Sequence, residues 1–467
     1  MGNKKEKKQA VVIIHGIGSQ FPMDTAREFV ENIKDKNDVL YSSPDREANF
    51  FETRRLSLSG KKFDFYEFYW ANLVTEPNNS DLIEWLRKLL FKNKPSLRAK
   101  SIILFIRLLV FVLVSLFAAF IIYDYFKNGK RIMTSILNTG ILSVLTFMFF
   151  RYFLPRINLK TAQTVGDAVK YLTPSPQNID SRFKIRQKGV ELLKKLHEKK
   201  DKNGEPLYSR IVIVGHSLGS IVGYDIITNL WHDYTYSYAP EKAPVLQPIL
   251  GDMSSLVSDY HKYNENLSKK KLNKKEQEEK NKKKSEFQAD YYRLQEQLYD
   301  EIKSLKNPWL ISDFITVGSP LCHGAYIMAK SEEEFIRKTN YRELPLSPPK
   351  IEVKQVKDKI EKDYTKAISY EDDIHSKEDK NVKMRIINHS SQFSLIRWNN
   401  IYFENDYVGG DLNCYFGDGI QNHKFKANGS YFKRKLPCAS HTNYWDDDQK
   451  ASLDLFKKIL FAKKNIQ

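Results

Sequence analysis

"RIVIVGHSLGSIVGYDII", residues 210–227, decides the reading of this chain. Four β-branched residues, Ile211 to Val214, run without a turn into Gly215-His216-Ser217-Leu218-Gly219, and a second apolar stretch follows at once. β-Branched side chains are stiff at χ1 and favour a strand. An apolar run without polar alternation belongs to a strand covered on both faces of a sheet. A strand entering a helix through Gly-x-Ser-x-Gly is a nucleophile elbow, in which the serine sits on a strained turn that lifts its hydroxyl above the sheet edge. Gly215 and Gly219 keep that turn free of side chains. The pentapeptide alone is a weak signal; between "RIVIV" and "SIVGYDII" it is a strong one.

Some 200 residues upstream, "VVIIHGIGSQ" (11–20) places His15-Gly16-Ile17-Gly18 directly after another apolar strand. In both glycine-flanked turns the short side chains let backbone N–H groups approach a reacting centre, and the helix after Ser217 points its positive dipole end at that centre.

On these two motifs the chain resembles serine lipases and esterases of the α/β-hydrolase superfamily. The resemblance spans both ends of the chain but not its middle insertions. It implies an α/β fold, a mostly parallel sheet with helices on both faces. It also implies that the Ile17 and Leu218 N–H groups form the oxyanion hole, with His15 and His216 orienting their motifs rather than moving protons. The family order of serine, then acid, then histidine restricts the rest. "LIRWNNIYFENDYVGGDL" gives a strand through Phe403 and then a loop with Asp406, the choice for the acid; Glu404 and Asp411 are the alternatives. Only His423 and His441 follow Asp406. "CASHTNYW" puts His441 on a short loop before a C-terminal helix, whereas His423 in "QNHKFK" reads as an exposed basic stretch, so His441 is the choice for the base.

Lysine plus arginine outnumber aspartate plus glutamate 75 to 57 across 467 residues, a net charge of +18. Nucleic acid ranks last as a partner, because no recognised binding motif accompanies the charge. Cys322, Cys414 and Cys438 are too few and too scattered for a disulfide framework, which points to a reducing compartment. No HExxH and no Cys/His cluster is present, so neither metal nor cofactor is expected. The N-terminal "MGNKKEKKQAVVII" lacks the h-region of a signal peptide.

Residues 102–123 hold a single charge, Arg107, in 22 residues, and 132–150 hold none. Each is long enough to cross a hydrocarbon core of about 30 Å. A transmembrane hairpin is therefore expected, with Lys and Arg richer outside it than in the connecting loop, which puts the catalytic domain on the cytoplasmic side. The run "KKKLNKKEQEEKNKKK" (269–284), nine Lys against three Glu, reads as a solvated helix or lid face.

The expected organisation is a hydrolase core begun by residues 1–100, interrupted by the hairpin 101–156, and resumed at 157–232 with the elbow. A charged helical insertion at 233–306 follows, then a core strand in 307–332, a surface insertion at 333–382, and the acid and histidine loops in 383–467. The expected function is a membrane-anchored serine hydrolase cleaving acyl esters, lipid esters first, through Ser217, His441 and Asp406. Acyl transfer or thioester cleavage would use the same triad, and a catalytically inactive membrane scaffold is the alternative from another class. The bilayer and the acyl ester are the partners; the oligomeric state is open.

Overall fold

The computed structural model describes residues 7–17, 21–45, 47, 52–74, 126, 170–172, 175–176, 178–234, 248–268, 270, 272–304, 307–356, 359–363, 368–375, 380–429 and 440–461. In chain order the described elements begin with β1 (Lys8–Ile14), α1 (Asp24–Ile33), β2 (Leu40–Pro44), β3 (Arg54–Leu58), β4 (Phe63–Phe68), α2 (Ile179–Glu198), β5 (Tyr208–His216) and α3 (Leu218–Tyr234). Next come α4 (Pro248–Ser268), α5 (Lys274–Ser304), β6 (Ile311–Val317), α6 (Gly324–Ile327), α7 (Glu332–Asn340), β7 (Glu352–Val356), β8 (Lys359–Asp363), β9 (Ser369–His375) and β10 (Lys380–Ile387). The chain closes with β11 (Arg397–Phe403), α8 (Asn413–Phe416), β12 (Gln421–Phe425) and α9 (Lys450–Phe461).

Eight strands form one sheet in the order β12-β11-β6-β5-β1-β4-β3-β2. The six from β12 to β4 are parallel, and β3 and β2 close one edge antiparallel. The class is α/β, with a mixed, mostly parallel sheet. β5 shows why the sequence folds this way: seven of its nine residues, Arg210 to His216, are buried in unbroken succession, as a strand covered on both faces requires. On one face Val11, Ile13, Val212, Val214, Ile315 and Val317 pack against α1 and α9, through Ala26, Phe29, Val30, Phe456 and Leu460. On the other, α3 approaches closely at Gly223, where a Cβ would stand 3.0 Å from the Phe314 ring and 3.3 Å from Ile14 Cδ1.

The chain divides into two compact units. The first, residues 1–16, 20–70 and 183–467, holds the sheet. The second comprises 17–19 and 71–182; among its described residues the Arg182 guanidinium lies 5.4 Å from the Tyr171 ring and donates to the Tyr171 carbonyl.

The expectation of two membrane spans is corrected. Among the described residues no helix is long and apolar enough to cross a membrane. α3 is apolar but has 17 residues, about 25 Å at 1.5 Å per residue, and packs against the sheet. α5 is long enough, at 31 residues, but is heavily charged. Segments 102–123 and 132–150 lie outside the described residues. The multi-pass placement, and the cytoplasmic orientation built on it, fall with the spans.

Elements that sequence reading blurred are resolved. Residues 274–284 of the charged run open α5 and are largely exposed, while Phe287, Tyr291, Leu294, Leu298 and Ile302 make a buried stripe along the rest of the helix. The spacing of four, three, four and four residues keeps that stripe on one face. Gln295 on the same helix donates to the carbonyls of Phe393 and Ile396, at 2.7 and 2.9 Å. "QNHKF", read as an exposed stretch, is edge strand β12, and His423 Nε2 meets Asn399 Oδ1 at 3.0 Å across to β11.

Candidate active site

Because β1, β5, β6 and β11 run parallel, their C-terminal ends meet at one edge of the sheet. After β1 the next parallel strand in the chain, β4, lies on one side, while β5 leads to β6 on the other, and such a reversal of strand order is where open α/β sheets place their ligand sites. The register pairs Ile14 with Gly215, which lays His15-Gly16 beside His216-Ser217.

Ser217 sits between β5 and α3 with φ +51°, a left-handed conformation that a non-glycine residue holds only when its surroundings impose it. The imposing bonds are Ser217 N–H to Val317 O at 2.8 Å and Ser220 N–H to Ser217 O at 2.9 Å. Three glycines make the turn fit. A Cβ at Gly219 would collide with the carbonyl oxygens of Ile14 and His15, and one at Gly16 would stand 2.9 Å from Ser217 Cβ. Gly215 likewise faces the Gly219 carbonyl, at 2.7 Å from a built Cβ. The Leu218 N–H is the first amide of α3, one of the four that an α-helix leaves without an intrahelical acceptor, at its positive dipole end.

Ser217, His441 and Asp406 come together. His441 Nε2 lies 2.8 Å from Ser217 Oγ and its Nδ1 lies 2.8 Å from Asp406 Oδ2. A carboxylate only accepts, so Nδ1 carries a hydrogen; in the neutral ring Nε2 then presents its lone pair to the serine hydroxyl. Asp406 follows β11 in a tight turn, its N–H bonded to the Phe403 carbonyl at 3.1 Å. Its Oδ1 accepts from Val408 N–H at 2.8 Å, and Oδ2 also accepts from the Tyr444 hydroxyl at 2.6 Å. Burial pushes this carboxyl's pKa up, but the His441 and Tyr444 hydrogen bonds and the Gly409 amide outweigh it and hold it at about 2. Asp406 is thus ionised across the physiological range.

The two motif histidines hold backbone. His216 is buried, which pushes its pKa down to about 3, and its Nε2–H donates to the His441 carbonyl at 2.9 Å. His15 is buried as well, down to about 4; its Nδ1–H donates to Gly16 O at 2.7 Å and its Nε2 accepts from Trp70 N–H at 3.1 Å. The Trp70 indole stacks on it at 5.1 Å and donates to the His15 carbonyl at 3.0 Å. Both imidazoles are neutral near pH 7.

The alternatives for the acid point elsewhere. Glu404 pairs with Lys424 at 2.9 Å, and Asp411 Oδ1 accepts from Asn413 N–H and Asn422 Nδ2. Ile17 falls in the second unit, and Gly18 lies outside the described residues. Among the described residues no group of His, Cys, Asp and Glu could hold a metal ion. Sequence reasoning missed Tyr444 and Trp70. Tyr444 stands three residues past His441 in "SHTNYW", and nothing in that spacing marks it as a partner of the acid.

Comparison of the chain with protein-family models, with curated proteins and with solved structures finds no match to any of the three.

Proposed function

We propose that this protein is a serine hydrolase of the α/β-hydrolase superfamily, cleaving carboxylic esters through an acyl-enzyme. The observation that carries the reading is the unbroken relay Ser217 Oγ, His441, Asp406, with both contacts at 2.8 Å, mounted on a serine at φ +51°. Strand order, parallel direction and the position of the relay at the C-terminal strand ends support the same superfamily. With the membrane spans withdrawn, the chemistry names acyl esters as the substrate class rather than lipids.

In the mechanism, Ser217 Oγ attacks the ester carbonyl carbon while His441 Nε2 takes the hydroxyl proton. The negative charge on the carbonyl oxygen is met by the Leu218 N–H and the α3 dipole end. Collapse of the tetrahedral intermediate expels the alcohol, which leaves with the proton that His441 Nε2 returns. Water then attacks the acyl-serine, with His441 again the base, and the carboxylic acid departs. Asp406 keeps the imidazole in the tautomer that accepts at Nε2 and stabilises the transient imidazolium; it does not itself take the proton.

The test is labelling of the intact chain with a fluorophosphonate probe beside hydrolysis of p-nitrophenyl acetate. Labelling and turnover that vanish in Ser217→Ala and fall by about 10³-fold or more in His441→Ala are expected. A folded intact chain that neither labels nor turns over would sink the reading.

A further inference from the structure

Asp406 meets more than the histidine. Tyr444 is buried, and its hydroxyl sits between two partners of fixed sense: the Phe403 N–H donates to it at 3.0 Å, and the hydroxyl lies 2.6 Å from Asp406 Oδ2. A backbone amide can only donate and a carboxylate can only accept, so the one phenolic proton goes to Asp406. Its acceptor is the same oxygen that receives the His441 Nδ1–H.

The ring is held as firmly as the hydroxyl. It stacks on Phe403 with centroids 4.2 Å apart and an interplanar angle of 1°. On its flank is Gly318, at φ +55°, where a Cβ would stand 2.7 Å from the Tyr444 ring and 3.0 Å from the His441 imidazole. A glycine here lets tyrosine and histidine close on the strand end together. The backbone is tied down as well, by the Ser452 hydroxyl donating to the Tyr444 carbonyl at 2.6 Å.

We propose that Tyr444 is a positioning residue of the triad: its hydroxyl aims the Asp406 carboxylate at His441 and sets how strongly that carboxylate holds the imidazole proton. The proposal rests on the serine-hydrolase reading for its catalytic consequence, and on geometry alone for its effect on Asp406 and His441. Two acceptor directions on one oxygen are shared between a neutral donor and the imidazole. Without the phenol, the carboxylate keeps the full negative charge for His441, holds a proton on it more firmly, and is free to rotate away. With a more acidic phenol in the same place the opposite holds.

The experiment uses the full chain with Tyr444→Phe and with a singly ring-fluorinated tyrosine at position 444, which retains the hydroxyl and almost the same shape. Two readouts are taken. The first is the pH profile of fluorophosphonate labelling. In Tyr444→Phe the rate at neutral pH is expected to fall by about ten- to a hundredfold, and the acid limb to move up by about one pH unit. The fluorinated variant should label well, with its acid limb moved down. The second readout needs no turnover: the proton NMR resonance of the His441 Nδ1–H, assigned by its loss in His441→Gln, should shift in opposite directions in the two variants.

A resonance that stays in place in the fluorinated variant, which has every reason to fold, overturns the positioning role. Wild-type labelling whose pH profile neither Tyr444 variant moves overturns it equally. A chain that never labels, yet shows the two opposed resonance shifts, keeps Tyr444 as the partner of Asp406 and discards the hydrolase reading instead.

Discussion

Two buried polar clusters occupy opposite ends of the same three strands. At the N-terminal ends of β5, β6 and β11, Arg210 and Arg397 grip Asp313 from both sides, at 3.1 and 2.8 Å. Arg210 also donates to the Leu460 carbonyl at 2.8 Å, the Ser312 hydroxyl donates to Asp313 at 2.6 Å, and Arg397 reaches Glu296 at 3.3 Å. At the C-terminal ends stands the relay from Asp406 through His441 to Ser217. The first cluster joins strands to one another and to α5 through opposed full charges, and to α9 through the Arg210 guanidinium on the Leu460 carbonyl. The second joins two loops and an elbow through hydrogen bonds, the last of them between the Ser217 hydroxyl and His441 Nε2 at 2.8 Å. Opposed buried charge ties strands together; a hydrogen-bond chain ending on a serine hydroxyl has the form that the proposed proton transfer requires. The contrast predicts that the two ends separate experimentally, one governing rate and the other stability.

The largest effect belongs to the relay. Asp406→Asn replaces an acceptor by a group that can donate to His441 Nδ1, which favours the wrong tautomer. Phosphonylation of Ser217 by the fluorophosphonate, with loss of fluoride, is expected to slow by about 10⁴-fold while the fold persists. Stopped-flow labelling at pH 7 beside circular dichroism measures both. An Asp406→Asn chain that labels as the parent does would remove the acid from the relay.

At the other end, Asp313→Ala leaves two buried guanidinium groups facing each other. Losing one partner of a buried pair costs about 3–5 kcal/mol. Denaturant unfolding should show that loss, while the labelling rate per folded molecule stays within about twofold of the parent. A parallel collapse in rate would mean that the strand ends are coupled rather than separate.

How far the chain disclosed this contrast follows from the range of each signal. The elbow and the His15-Gly16 turn were legible because a glycine at a close approach and an apolar strand before it are local requirements, written in adjacent residues. Asp406 and His441 were legible only through the order of the resembled family, since 35 residues separate them and no periodicity links them. Tyr444 was not legible: its place depends on Phe403 closing β11 and on Gly318 leaving room, neither adjacent in sequence. Asp313 was hidden inside an apolar strand, where its need for Arg210 and Arg397 emerges only once β5, β6 and β11 are neighbours. The antiparallel β2–β3 edge also escaped notice, because short, partly exposed strands such as "LYSSP" carry little hydrophobic pattern.

Protonation sharpens the contrast further, since two carboxyls near the C-terminal edge are perturbed in opposite senses. Asp406 is held at about 2, below its ordinary value, so its contribution is present above about pH 4 and is lost as pH falls through 2. Glu67, paired across from Ile13 on β4, is buried, and burial lifts it to about 7 despite hydrogen bonds from the Met23 and Ala26 amides. Asp24 adds to the rise and Arg27 opposes it. A raised pKa favours the protonated fold, so this contribution is complete below about pH 4.5 and fades as pH rises through 7. Stability is expected to drop by about 2 kcal/mol between pH 5 and 7 on account of Glu67. Denaturant midpoints across that window should flatten in Glu67→Gln; an unchanged slope would assign the pH dependence to another group.

The smallest effect tests how tightly the two glycine turns are fitted. Gly16→Ala places a methyl 2.9 Å from Ser217 Cβ and 3.2 Å from His216 Nδ1, closer than carbon atoms sit without displacement. Ser217 cannot retreat along its own backbone, because its N–H is bonded to Val317 and its carbonyl to Ser220. The His15-Gly16 turn is itself pinned by Trp70. One of the two must shift by a few tenths of an ångström, and either shift misaligns the serine hydroxyl with His441. Labelling is expected to slow by about tenfold, against the 10⁴-fold of the relay mutant, with the acid limb of the pH profile unmoved because Asp406 and His441 keep their contact. A Gly16→Ala chain that labels at the parental rate would show that the upstream turn only abuts the elbow, leaving the alignment of Ser217 to β6 and α3 alone.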